Sequence, residues 1–109
     1  MPVTQIAQKD TWVKFDSTGA VIAGNNVTSV TKNSTGDFTI NFTSAFPDAN
    51  YCVNGTAQQN VAGALQGAGV KVSSVAGAQA AASCRVITVA SAGWDVVIDC
   101  ANTFVRFIR

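Results

Sequence analysis

The chain has 109 residues, of which 48% are hydrophobic and 12% charged, with a formal net charge of +1. A chain of that length forms one compact domain, leaves no room for a second, and buries roughly two-thirds of its unfolded surface. Neither His nor Glu occurs, and the seven basic residues lie scattered from Lys9 to Arg109 without forming a run, which argues against His-based catalysis and electrostatic capture of nucleic acid.

Leu is scarce while Val, Thr, Ile, Ser and Gly crowd the chain, so strand and turn formers replace good helix formers and an all-β fold is expected. The opening "MPVTQIAQKD" lacks the basic and apolar regions of a signal peptide, and no apolar run reaches the ~20 residues that span a bilayer. Residues 1–10 are therefore read as an amino-terminal arm with Val3, Gln5 and Ile6 as attachment residues. The expectation is assembly in a cytosol without membrane insertion.

The domain proper spans 11–109. In "TWVKFDS", Trp12 and Lys14 face one way and Val13 and Phe15 the other; neither face is wholly polar, which predicts cover on both sides. "STGA" is a turn, and Gly24-Asn25-Asn26 predicts a bend before Val27 and Val30. Asn33, Gly36 and Asp37 carry the turn chemistry of a short hairpin. In "DFTINFT" the residues Phe38, Ile40 and Phe42 share one face while Thr39, Asn41 and Thr43 share the other, the period of a half-buried strand.

Pro47 fixes a corner in "SAFPDANY", and Tyr51 opens the next strand, "YCVNGTA". The Ala/Gly-rich stretch from Gln58 to Gly69 is read as a flexible binding loop, with Gln58, Gln59, Asn60 and Gln66 as candidate contacts together with Trp94. "GVKVSSV" resumes the alternation, and "AGAQAAAS" is read as a connection. "CRVITVA", "WDVVIDC" and "TFVRFIR" close the chain, the first two joined by a hairpin through Ser91-Ala92-Gly93. Seven or eight short strands predict a single antiparallel β-sandwich of Greek-key-like form.

The terminal strand carries Phe104, Arg106 and Ile108 on one side and Val105, Phe107 and Arg109 on the other. Apolar groups on both sides predict two covers, the sandwich core and a neighbouring copy, with a central strand of a larger monomer core as the alternative. Trp12, Phe15, Val105 and Phe107 are the expected oligomer interface.

No catalytic residue, cofactor or metal site is expected. The acidic residues are six Asp, and Asp95 and Asp99, four apart in a strand-like segment, would lie some 13 Å apart at ~3.3 Å per residue, too far for a glycosidase pair. No two of Cys52, Cys84 and Cys100 have metal-ligand spacing, and no segment groups calcium ligands. The three cysteines read as buried free thiols, with Cys84 and Cys100 the pair to test for oxidation. Lys71, Arg85, Arg106 and Arg109 read as solvated or paired with a nearby Asp. Trp12 and Tyr51 sit in alternating strands, as core residues do, which leaves Trp94 as the exposed candidate for sugar stacking.

The run "TWVKFDSTGAVIAGNNVTSVTKNSTGDFTINFTSAFPDANYCVNGTA" resembles the carboxy-terminal tip, or knob, domain of tailed-phage tail fibres. The resemblance rests on an aromatic-Val-x-Phe-Asp opening ending at Gly19 (Trp12, Val13, Phe15, Asp16), on "NVTSVT" (Asn26 to Thr31), on "TGDFTINFT" (Thr35 to Thr43) and on "PDANY" (Pro47 to Tyr51). It covers the first half strongly and the second only in general form, through the tail "FVRFIR". It implies a β-sandwich knob, commonly a homotrimer, displayed on a virion and devoid of catalysis.

The family's fibres also carry an attachment segment and a shaft, whereas about ten residues precede Trp12 here. The leading expectation is therefore a capsid decoration, or cement, protein whose partners are the major capsid protein or other virion proteins. The alternative is a receptor-binding fibre tip that recognises a host surface glycan or protein.

Overall fold

A computed structural model describes residues 10–59, 68–90 and 93–109. Among them nine strands form one antiparallel sheet: β1 (Thr11–Asp16), β2 (Val21–Asn25), β3 (Val27–Ser34), β4 (Asp37–Phe42), β5 (Cys52–Gln59), β6 (Ala68–Val72), β7 (Ser83–Ala90), β8 (Gly93–Val97) and β9 (Cys100–Ile108). Eight follow the order β2-β1-β9-β5-β6-β7-β4-β3. The short β8 pairs with β7 at Val89 and Ala90, beyond the stretch from Ser83 to Ile87 that β4 occupies. The all-β expectation holds, and the sheet curls into a flattened, nearly closed barrel.

Alternation decides what fills it. Phe38, Ile40 and Phe42 of β4 point inward and are buried, as are Val13 and Phe15 of β1, Cys84 and Val86 of β7, and Val105 and Phe107 of β9. β1 and β9 thus face β4 and β7 across the core. Phe15 meets Phe38 at 4.8 Å between ring centroids, and Phe42 meets Phe107 at 4.9 Å. Each fully buried Phe contributes about 1.5–3 kcal/mol through the apolar area removed from water.

The proline corner packs on this core. Phe46 stacks on Tyr51 at 4.6 Å, and the Tyr51 hydroxyl donates to the carbonyls of Ala80 (2.7 Å) and Ser83 (3.0 Å). Burial raises the pKa of that hydroxyl well above the ordinary value, so it stays a donor.

Strands β2 and β3 end the sheet at opposite edges yet follow one another in the chain, and no backbone ladder joins them. The bend between them is Asn26, at φ 59°, a left-handed conformation that Asn tolerates better than most residues. Its side-chain NH₂ donates to Thr11 Oγ1 (2.9 Å) and to the Ser44 carbonyl (3.1 Å), while its Oδ1 accepts from the Ser44 N–H (2.8 Å). At the far end of the seam the Lys32 ammonium donates to the Ser17 carbonyl and to the Asp99 carboxylate, both at 2.9 Å. These side chains tie the two ends of the seam to Thr11, Ser44, Ser17 and Asp99, and none of these contacts involves a residue of β2.

Two expectations need correction. β5 continues through Gln58 and Gln59 and β6 starts at Ala68, so those glutamines belong to a strand, where they extend the ladder with β9 to Asn102 and Cys100. Cys52 is exposed, because it occupies an outward position of β5; Cys84 and Cys100 are buried. All three are free thiols. Cys84 lies against Tyr51 and Cys100 against Thr88; Cys84 and Thr88 are four residues apart on β7, about 13 Å by the strand rise, so the two thiols sit too far apart to bridge.

Candidate interaction surfaces

The expected oligomer interface divides on parity. Phe15, Val105 and Phe107 are 0%, 0% and 2% exposed inside the chain's own core, so a neighbouring copy cannot reach them. Trp12 alone of the four points outward, half-buried, against Phe104 at 5.8 Å between ring centroids. The outward apolar groups of β9 are Phe104 and Ile108. Residues Asn60 and Gln66, and the arm residues Val3, Gln5 and Ile6, lie outside the described set. Trp94 falls in β8, with its side chain outside that set.

Cross-strand register builds one continuous outer face from β1, β9 and β5. Trp12 pairs with Arg106 and Arg106 with Asn54; Lys14 pairs with Phe104 and Phe104 with Thr56; Asp16 pairs with Asn102 and Asn102 with Gln58. Directly opposed residues of an antiparallel pair share a face, so these form three parallel rows, the first with Trp12 at its β1 end, the second with Phe104 at its centre and the third wholly polar. The Asn102 amide donates to the Gln58 carbonyl oxygen at 3.0 Å.

The acidic groups near this face are engaged within the protein. Asp10 pairs with Arg106 at 3.3 Å, and Asp48 takes a two-pronged contact from Arg109 at 2.6 and 2.9 Å. Asp16 Oδ1 accepts from the N–H and hydroxyl of Thr18 and from the Ala20 N–H, and those bonds, the Thr18 hydroxyl first, hold its carboxyl below the usual carboxylate range. Arg85 grips Asp37 on the opposite layer, at 2.7 and 2.8 Å. The sequence reading of Arg85, Arg106 and Arg109 as paired with a nearby Asp is met; Lys71 has no ion pair among the described residues.

A second surface is the edge strand β2. It pairs with β1 on one side, and all five of its residues, "VIAGN", are exposed, with Val21 at 43% and Ile22 at 53%. Sequence reasoning missed it because a Val-Ile pair reads equally well as core; the uncharged run ending in Gly and Asn was the available signal.

Among the described residues no three potential metal ligands cluster, and no helix is long and apolar enough to cross a membrane. No protein-family model, curated protein or solved structure matches the chain.

Proposed function

We propose that the chain is a non-enzymatic structural protein of a bacteriophage virion, a homotrimeric β-knob on the particle surface that acts as a capsid decoration protein. The observation that carries the association is β2. This edge strand, exposed along its length, with two large apolar side chains, carries neither the charge nor the Pro that commonly protects a sheet edge, its one guard being the irregular register at Ile22. Three copies gathered around one axis remove those edges from water and close the assembly. Support for the phage setting is the run of tail-fibre-like motifs, which supply β1, the Asn26 bend, the β3–β4 hairpin and the Pro47–Tyr51 corner.

The partners are then the major capsid protein or other virion proteins, engaged by three arms at once, so that individually weak contacts add up to firm attachment. Two measurements on purified particles test the reading. Copy numbers on the order of hundreds per particle support decoration, and a few dozen or fewer contradict it. Removal of residues 2–9 should release the protein from particles, and unchanged occupancy would exclude the arm as the attachment.

A further inference from the structure

We propose that β2 of one copy packs on the outer face of β9 in the next, with Val21 and Ile22 seated against Trp12, Phe104 and Ile108. This contact presupposes the three-copy assembly and names the surface that receives β2.

Symmetry narrows the choice of receiver. Away from its axis, a three-fold presents each surface to a different surface of the next copy, whereas β2 paired with β2 is a two-fold contact. The other end of the sheet is β3, and the protein's own β1–β2 turn rests on its edge. A Cβ built on Gly19 would lie 3.4 Å from the Val30 carbonyl oxygen and 3.6 Å from the Lys32 backbone nitrogen. The Lys32 ammonium ties the same turn down through the Ser17 carbonyl. A sheet face is the receiver that remains.

The apolar side chains single out which face. Large hydrophobic side chains exposed among the described residues are Val21, Ile22, Val75, Val97, Phe104 and Ile108. Val75 lies in the connection before β7 and Val97 in β8, whereas Phe104 and Ile108 share the outer side of β9. Arg106, between them, is directly opposite Trp12, so Trp12 is the diagonal neighbour of both. Its ring lies 5.8 Å from that of Phe104, and aromatic side chains are the common anchors of protein interfaces.

Charge and placement agree with this pairing. Lys14 and Asp16 carry opposite signs on neighbouring rows of the face, and Asp10 pairs with Arg106, so the face is neutral. β2 has no charged residue, so neither side buries an uncompensated charge. β2 is the neighbour of β1, and β1 of β9, so donor and receiver adjoin around one corner of the molecule. A head-to-tail contact between adjoining surfaces turns sharply and closes a small ring, whereas surfaces on opposite sides run on as a filament.

Disulfide trapping on the full chain, with Cys52→Ser to remove the exposed thiol, tests the contact. Ile22→Cys and Phe104→Cys in the same chain should, on oxidation, give covalent species up to three chain masses. Dimers trapped by either substitution alone would mean a two-fold contact and overturn the pairing. Thr56→Arg, an exposed substitution directly opposite Phe104, spares the core. It should raise the midpoint concentration of trimer dissociation about tenfold or more, the scale of one blocked anchor. A trimer indifferent to Thr56→Arg, or one that the cysteine pair fails to trap, would overturn the contact and leave the three-copy assembly standing. A monomeric parent chain would overturn both.

Discussion

The Gly36 N–H donates to the Asp99 carboxylate at 2.7 Å, joining the β3–β4 turn to the corner that leads into β9. The contact is close because Gly36 has no side chain: at φ +64°, a Cβ there would lie 2.5 Å from both the Ile98 carbonyl oxygen and Val97 Cγ1. Gly77 has a similar backbone, at φ +77°, but nothing within 4 Å of the same position.

These two glycines separate backbone strain from collision. Gly77→Ala should cost about 1–2 kcal/mol, the left-handed penalty of an L-residue. Gly36→Ala should cost about 3 kcal/mol or more, because the corner must also move. Urea midpoints of the two variants measure the difference, and equal midpoints would mean that the corner yields freely.

Acid should unfold the protein by a defined route. Burial opposes ionisation of Asp99, but the hydrogen bonds from Lys32 and the Gly36 N–H, with the Lys32 charge, outweigh it and hold the carboxyl below the usual range. The Arg85 contact lowers Asp37, and the Arg109 contact lowers Asp48. Groups whose pKa is depressed on folding add stability above the unfolded value, about 3.9, and lose it as pH falls through the folded value. Stability should therefore be level near neutrality and drop below about pH 4. Asp99→Asn should flatten part of that drop.

Alkali acts with the opposite sign. Burial pushes the Cys84 thiol up to about 11 from an ordinary 9.0, and also raises Cys100. The folded state keeps protons that the unfolded state releases, so stability should fall as pH rises from about 9 towards 11. At neutral pH a thiol reagent should label Cys52 fast and reach Cys84 and Cys100 only on unfolding, given their burial. Fast labelling of all three would contradict the packing.

Asn26 makes the β2–β3 bend with its backbone and anchors that bend to Thr11 and Ser44 with its side chain. Asn26→Gly keeps the positive φ and loses three hydrogen bonds, one of them to the Ser44 N–H, and should cost about 1–3 kcal/mol. Asn26→Ala should cost about 1 kcal/mol more, since Ala also resists the left-handed conformation. Thermal melts of the two variants test the order.

Much of this fold was legible in the sequence. The alternation of Phe38, Ile40 and Phe42, the bend at Asn26 and the turn at Gly36 each rest on a local rule that tertiary packing reinforces. The inner side of β9 was not legible, because Phe104 and Phe107 give both of its faces an aromatic ring; only pairing with β1 puts Val105 opposite Val13 and so inside. The same ambiguity put Phe15 in an expected interface although it lies one face away from Trp12. The Lys32 to Ser17 and Gly36 to Asp99 contacts join residues distant in sequence, and no local pattern announces them.

The central claim is that three copies assemble through β2. Light scattering of the purified chain should give about three times its 11.2 kDa mass, and Ile22→Lys should reduce that to one chain mass with the fold retained. A parent chain that stays at 11.2 kDa across micromolar concentrations, or a trimer indifferent to Ile22→Lys, would contradict it.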